Sequence, residues 1–495
     1  MQDCILAMDQ GTTSSRAIAF NSAGEVVALK QAEFTQHYPA DGWVEHDAEE
    51  IWSTSLETAR EALQEAEGKG FRVVAIGITN QRETSILWER ESGRALNRAI
   101  VWQDRRTART CRDLKADGIE DDVQSKTGLL LDPYFSATKV AWMLDNIDGA
   151  RRAASDGKLA WGTVDSFLIM KLTGGKVHAT DATNASRTSL FNIRNQTWDD
   201  ELLRLFDVPS SILPEVFDCA AEYGETEPGL FGRSIPILGV AGDQQAAAIG
   251  QCCFEEGAIK STYGTGCFVL MNTGKDFIRS RNRLLTTVAY RLSGETTYAL
   301  EGSIFIAGAA VQWLRDGLQI IENAQESEQL AMSVGDSGGV FMVPAFTGLG
   351  APHWDPEVRA ALFGMTRGTG RAEIVRATLE AVCHQTYDLF TAMADDGIKP
   401  AVLRVDGGMV ANDWMVQTLS DTLALKVDRP MVMETTALGA AYLAGLQAGV
   451  YGSLDELSAN WRADKRFEPS GDTNTRQLRL EKWQRAVKAA QAFSA

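Results

Sequence analysis

The sequence predicts an α/β fold in which two related domains face one another, and three observations carry that prediction. A strand–turn–strand unit occurs twice, as Cys4-Ile-Leu-Ala-Met8, Asp9-Gln-Gly-Thr-Thr-Ser-Ser15 and Arg16-Ala-Ile-Ala-Phe20, and again as Ala258-Ile-Lys-Ser-Thr262, Tyr263-Gly-Thr-Gly266 and Cys267-Phe-Val-Leu-Met271. Apolar residues fill both arms of each copy, and Gly with Thr or Ser fills each turn. The glycines Gly11 and Gly264 lie 253 residues apart, about half of the 495-residue chain. Between and after the two units, strand-like and helix-like segments alternate.

Those segments read in order as follows. Residues 72–79 and 235–240 form apolar runs typical of buried strands, and 402–405 is a third. Helical spacing follows at Asn412 with Met415, Leu419 and Leu423, and residues 304–318 and 373–394 also read as helices. Residues 465–470 read as a polar connection, and 480–493 as a terminal amphipathic helix. No low-complexity linker interrupts the chain. The boundary is therefore set by the repeat alone, giving domains 1–248 and 249–495.

Composition narrows the function. Lys and Arg number 48 against 66 Asp and Glu, a formal charge of −18. A field of that sign opposes nucleic acid and anionic membranes, so any phosphate must be held by local geometry. Seven cysteines without a Cys-x-x-Cys, and only five histidines, point away from disulfides and zinc and toward buried, reduced thiols. The start of the chain lacks a basic segment followed by a signal-length apolar run, and no stretch approaches 18 apolar residues. A cytoplasmic enzyme without membrane insertion is expected.

Chemistry concentrates in a few segments. Asp9-Gln-Gly-Thr-Thr-Ser-Ser-Arg16 is no P-loop, because a strand follows it and the Gly-Lys-Thr end is missing. It does bring a carboxylate, a Gly turn with free N–H groups, four hydroxyls and an arginine to one strand end. Those parts suit a terminal phosphate and a magnesium ion, although a solvated turn uses many of the same residues. In Gly242-Asp243-Gln244-Gln245, Asp243 reads either as a helix N-cap or as the base for an attacking hydroxyl. Asp406-Gly-Gly408 with Asn412, and Gly308 with Gln312, offer close backbone approach at helix starts, or simply tight connections and packing. Arg82 and Glu83 land at a strand end and supply the donors and acceptors a polyol needs, or make a surface ion pair. Trp102, Tyr134 and Phe268 read either as core aromatics or as walls for a small carbon chain.

Taken together, these segments resemble the FGGY carbohydrate kinases of the actin/Hsp70/hexokinase-like superfamily. The likeness rests on Met8 to Arg16, Asn80-Gln-Arg-Glu-Thr84, Trp102-Gln-Asp-Arg-Arg106, Gly242-Asp-Gln-Gln245 and Ser261-Thr-Tyr-Gly-Thr-Gly-Cys-Phe268. It extends through Glu301-Gly-Ser303, Phe346-Thr-Gly-Leu-Gly-Ala-Pro352 and Thr435-Thr-Ala-Leu-Gly-Ala-Ala441, with signature stretches at 134–146 and 360–380. The resemblance implies two ribonuclease-H-like domains flanking a catalytic cleft, and ATP-dependent phosphorylation of glycerol to sn-glycerol 3-phosphate. It implies Thr12, Thr13, Ser14, Arg16, Thr265, Gly308, Gln312, Gly408 and Asn412 for ATP, and Asp9 with Asp243 for Mg2+. It implies Arg82, Glu83, Trp102, Tyr134, Asp243, Gln244 and Phe268 for glycerol, with Asp243 as base. A homodimer or homotetramer is implied as well. A kinase for another polyol or ketose is the nearest alternative. A non-catalytic regulator on the same fold should lack Asp9 or Asp243, and both are present.

One region departs from the family pattern. Members inhibited by fructose 1,6-bisphosphate carry a Gly-rich loop ending in Arg before Ile-Pro-Ile. Here that stretch is Pro228-Gly-Leu-Phe-Gly-Arg-Ser234, with fewer glycines and Arg233 displaced by one place. No histidine lies between His178 and His353, so activation by histidine phosphorylation there is not expected.

Overall fold

Both predicted hairpins form, and each begins a mixed sheet, one of five strands and one of seven. The computed structural model describes residues 1–355, 357–397, 400 and 402–494. Strands β1 (Gln2–Gln10) and β2 (Ser14–Asn21) pair antiparallel, placing Asp9 opposite Arg16. Strand β3 (Val26–Glu33) extends the meander. Helix α1 (Ala48–Gly68) starts where the Asp47 side chain accepts from the Glu49 and Glu50 N–H groups, and buries Ile51, Ser55, Thr58, Ala59, Ala62 and Ala66 on one face. It leads into β4 (Phe71–Asn80), parallel to β1. Helix α2 (Val164–Leu172) precedes β5 (Ile237–Gly242), parallel to β4, so the sheet runs β5-β4-β1-β2-β3.

Helix α3 (Asp243–Gly250) then carries the chain to the second sheet. There β6 (Ile259–Tyr263) and β7 (Cys267–Gly274) repeat the hairpin, and β8 (Leu285–Leu292) with β9 (Glu295–Ile304) extends it antiparallel. After α4 (Gly308–Asp316) and α5 (Arg371–Asp395), β10 (Val402–Asp406) lies parallel to β6. Helix α6 (Asp413–Leu423), β11 (Lys426–Pro430), α7 (Thr435–Gln447), β12 (Ala463–Phe467) and α8 (Thr473–Ser494) complete the order β8-β9-β7-β6-β10-β11-β12. In each sheet the first hairpin strand stands between its antiparallel partner and a parallel neighbour. The phosphate-loop candidates therefore sit at equivalent strand ends.

The core is layered. Apolar residues of α1 and α2 pack on the outer face of the first sheet, and those of α4, α5 and α6 on the outer face of the second. Between the sheets lies one continuous cluster joining Ile5, Ala7 and Ile18 through α7 and α3 to Leu270, Ala289 and Ala299. Helix α7 lies on β1, β4 and β5 of the opposite half, whereas α3 touches β6, β7 and β8 of the second sheet as well as β4 and β5 of its own. They cross at contact distance because glycines replace side chains there. A Cβ on Gly439 would lie 1.8 Å from the Ala246 carbonyl oxygen, and one on Gly250 2.0 Å from that of Thr435.

Three expectations need correction. Residues 304–318 are not one helix: Ile304 ends β9, and α4 starts at Gly308, because the Ala307 N–H bonds the Thr265 carbonyl instead of a helical partner (2.9 Å). Residues 465–470 are not wholly a connection, since Lys465 and Arg466 lie in the edge strand β12, where charges discourage pairing with another chain. The terminal helix starts at Thr473, about two turns before Leu480, on polar residues, while the buried Leu480, Trp483, Val487 and Ala490 form the apolar stripe of the expected amphipathic part.

Candidate active site

The two hairpin turns, the ends of β4, β5 and β10, and the starts of α3, α4 and α6 hold most of the candidate residues, and Trp102 and Tyr134 come from loops of the first half. Asp9 closes β1, its side chain buried, with Arg16 opposite. Arg16 reaches across to Glu434, just before α7, with Nη1 2.7 Å from Oε2. Burial pushes the Asp9 carboxyl up to about 6; Glu434 and Asp243 push the same way, and Arg16 opposes them. In the turn, the Gly11 N–H donates to the Ser14 carbonyl (2.9 Å). The Ser14 side chain is buried and its hydroxyl accepts from Gln31 Nε2 (3.1 Å). Thr13 is exposed. The Thr12 hydroxyl accepts from Trp102 Nε1 (3.0 Å), which joins this loop to the aromatic wall.

Asp243 is the first residue of α3 and not its cap. The cap position is Gly242, and no side chain caps the helix. Its Oδ1 accepts from the Gln244 N–H (2.7 Å) and lies 3.1 Å from Arg82 Nε, while about a third of the side chain stays exposed. The reading of Asp243 as a plain N-cap is thus replaced by a carboxylate aimed outward from a helix start. Gln244 accepts from Lys260 Nζ, which also donates to the Thr262 hydroxyl (3.0 Å). Burial holds Lys260 below the usual lysine range, although Asp406 and Asp243 pull it up.

Arg82 is no surface ion pair. Its side chain is 2% exposed and faces Asp243, Glu301, Gln245 and the Tyr134 hydroxyl. Glu83 beside it is equally buried, has φ +59°, and accepts from Arg187 Nε (2.7 Å). The Trp102 ring lies 5.6 Å from Tyr134 and 6.2 Å from Phe268, edge to face, so the three predicted aromatics do form one wall.

On the opposite side the second hairpin turn meets α4. The Gly308 N–H donates to the Gly264 carbonyl and the Ala309 N–H to that of Thr265, which is exposed. A Cβ on Gly308 would lie 2.6 Å from Gly264 O and 3.5 Å from Met409 Cγ, so Gly408 adjoins the same spot. Gln312, one turn on, is exposed. Asn412 spends its side-chain oxygen on the Met415 N–H as the cap of α6, which leaves only its amide group for a ligand. Sequence reasoning passed over Arg187, Lys260, Glu434 and the role of Glu301. Their partners stand far along the chain, and only Glu301, through its family motif, carried any signal.

The strand end beneath Arg82 is braced by a buried network. Asn80 and Asn184 exchange side-chain hydrogen bonds (3.0 and 3.1 Å), and Asp165 accepts from the Thr163 and Thr180 hydroxyls. Burial, with Asp181 nearby, pushes the Asp165 carboxyl up to about 7 from an ordinary 3.8. A raised carboxyl binds its proton more tightly in the folded chain. Its contribution to stability is full below the ordinary carboxylate value and is lost as pH rises through about 7. The melting temperature should therefore fall between pH 5.5 and pH 8, and Asp165→Asn should flatten that fall. Parallel pH slopes in the two proteins would refute it.

The comparisons agree with this architecture. The model of the FGGY family of carbohydrate kinases, N-terminal domain, matches residues 4–250, and that of the C-terminal domain matches 259–448. The chain is 66% identical to a glycerol kinase of Rhodospirillum centenum over 98% of its own length and 97% of the relative's. It is 59% identical to glycerol kinase 1 of Pseudomonas aeruginosa, over 99% of both. Among solved structures, Plasmodium falciparum glycerol kinase with ADP superposes with a TM-score of 0.93 at 37% identity, covering 99% of this chain and 98% of that one. A ligand-bound xylulose kinase from Lactobacillus acidophilus, 21% identical, covers 100% of this chain and 99% of that one, and shares the fold with a TM-score of 0.88. With both domain models and near full-length relatives matched, the chain belongs to the FGGY family of carbohydrate kinases.

Proposed function

We propose that this protein transfers the γ-phosphoryl group of ATP to glycerol, giving sn-glycerol 3-phosphate and ADP. The observation that carries the reading is the placement of Asp243, outward at a helix start and 3.1 Å from Arg82, beside the wall of Trp102, Tyr134 and Phe268. Arg82 and Glu83 would bind two hydroxyls of the triol, Gln244 would assist, and the aromatics would cover its carbons. The free hydroxyl oxygen would attack the γ-phosphorus as the bond to the ADP oxygen breaks, and its proton would pass to Asp243. A loose transition state asks for position and charge more than for a strong base.

The phosphates would lie between the two turns. Arg16, Thr12, Thr13 and the free N–H groups of the first turn would face the terminal phosphates; Ser14 would contribute through its backbone. Thr265, Gly308, Gln312, Gly408 and Asn412 would receive the rest of the nucleotide. The donor set suits Mg2+, because Asp9 and Asp243 are hard oxygen ligands and the buried Asp9 gains from a cation beside it. When bound, the ion would neutralise charge developing on the phosphate oxygens. This division of labour corresponds to domains 1–248 for polyol and phosphate, and 249–495 for nucleotide.

All seven cysteines are free and buried, which supports a reducing, cytoplasmic setting. Among the described residues no helix is long and apolar enough to cross a membrane. Assembly as a homodimer or homotetramer is proposed from family likeness, and light scattering reads it directly.

Coupled ADP release with glycerol, dihydroxyacetone, erythritol and xylulose tests the substrate. A kcat/KM for glycerol far above the others is expected, and preference for a longer polyol would overturn the assignment. Each assay repeated with fructose 1,6-bisphosphate should give unchanged rates, because Arg233 is already tied to Glu67 (2.7 Å) and the Val73 carbonyl (3.1 Å). Inhibition would show that a bisphosphate can displace those contacts.

A further inference from the structure

Glu301 is wholly buried, charged, and given no part in the reaction above. It stands on β9, in the second sheet, yet both of its charged partners come from the first half of the chain. Oε2 lies 2.5 Å from Arg82 Nη1 and Oε1 3.3 Å from Arg82 Nη2, while the same Oε1 accepts from Arg187 Nη2 at 2.7 Å. Arg187 turns its Nε to Glu83 (2.7 Å). The four side chains form one chain of charge, Asp243 apart: two guanidiniums and two carboxylates, none more than 2% exposed.

Burial on that scale stands only if the charges are matched and their hydrogen bonds met. Removing one carboxylate leaves two guanidiniums sharing the other. Glu301 is the member hydrogen-bonded to both arginines, whereas Glu83 bonds Arg187 and stands 3.9 Å from Arg82 Nε. Together Arg187 and Arg82 outweigh the burial of Glu301 and hold its carboxyl below the usual range. Glu83, equally buried, is held above it.

A second observation points the same way. Glu83 is a non-glycine residue in the left-handed region, a conformation that persists when its surroundings fix it. Arg187 grips its carboxylate, and the Ser136 hydroxyl (3.0 Å) and Lys139 Nζ (3.4 Å) grip its carbonyl. The strain is thus concentrated on one of the two proposed polyol ligands.

We propose that Glu301 is a positioning residue for the polyol site: it sets Arg82 directly and Glu83 through Arg187, so the second sheet fixes the ligands carried by the first. This rests on Arg82 and Glu83 being the polyol ligands. Among the described residues no hydrogen bond or ion pair joins Glu301 to either phosphate-loop candidate, and it reaches Asp243 only through Arg82, so its influence falls first on polyol binding and only second on the nucleotide.

The test is steady-state kinetics with each substrate varied, together with thermal melting. Glu301→Gln should raise KM for glycerol at least 30-fold, leave KM for ATP within about threefold, and lower the melting temperature. The double variant Arg187→Gln/Glu301→Gln removes one charge of each sign. It should regain melting temperature but not affinity for glycerol. A double variant with wild-type KM for glycerol, or equal rises in KM for both substrates, would overturn the proposal. If neither Gln variant folds, Arg187→Lys decides, because it keeps the charge and loses the fork. Its KM for glycerol must rise while that for ATP does not. A wild-type enzyme that prefers another polyol would sink the glycerol reading alone, and the same comparison is then made with that polyol.

Discussion

Asp243→Asn is expected to lower kcat by about 10² to 10⁴-fold, the usual span for loss of a positioned acid or base, while ADP affinity stays within about twofold. The substitution is nearly isosteric. Asparagine retains an oxygen to accept from the Gln244 N–H and from Arg82 Nε, the two contacts that hold Asp243 in place. Neither the fold nor the aromatic wall needs the negative charge. What disappears is the ability to take a proton, together with half of the proposed carboxylate pair for Mg2+. Titrating the variant with ADP by calorimetry, beside single-turnover phosphorylation of glycerol, separates these effects. A near-normal kcat would remove Asp243 from the role of base, and lost ADP binding would mean that it helps shape the nucleotide site.

The largest effect on stability is expected at Gly439, far from any substrate. A methyl group there would overlap the Ala246 carbonyl oxygen at 1.8 Å and press on the Gly250 N–H at 3.0 Å. Those atoms belong to the backbone of α3, which no rotamer change can move. Strands and helix are equally close elsewhere, since a Cβ on Gly77 would meet the Ala440 carbonyl oxygen at 2.2 Å. Gly439→Ala therefore forces the whole of α7 outward from the shared core. Overpacking of this kind costs about 3 kcal/mol or more, and denaturant unfolding should show it. Gly68→Ala is the control: a Cβ there meets nothing within 4 Å. Near the end of α1 it should be neutral or gain up to about 1 kcal/mol from helix propensity. Equal stability of the two variants would show that α3 and α7 can separate without loss.

Much of this was legible in the sequence, for physical reasons. The hairpins announce themselves because apolar arms flank a turn that only Gly, Thr and Ser fill well. The strand at 402–405 is a short, mostly apolar run with Val at both ends before Asp-Gly-Gly. The start of α4 is hidden in the sequence because Ile304 to Ala307 continue an apolar pattern, and only the backbone bond to Thr265 shows where the strand ends. The edge strand β12 hides behind Lys465 and Arg466, whose charges serve its exposed position. Arg82, Glu83 and Asp243 could be picked out because they close strands or open a helix. The partners that make Arg82 and Glu83 useful could not. Glu301 lies 219 residues from Arg82, and Arg187 104 from Glu83. No local pattern encodes a salt bridge across that distance.

The exchange of α3 and α7 has a consequence for the integrity of the molecule. The second half makes the helix that covers the first half's sheet, and α3 of the first half reaches onto the second sheet, so neither half owns all of the apolar surface that it needs. A protease cut in the 251–258 connection would sever the polypeptide without releasing a piece, because the interlocked helices still hold the two fragments as one particle. Made separately, each fragment would present a bare sheet face to water and to its own kind. The two halves share a repeated hairpin in sequence, but they do not behave as two separate proteins.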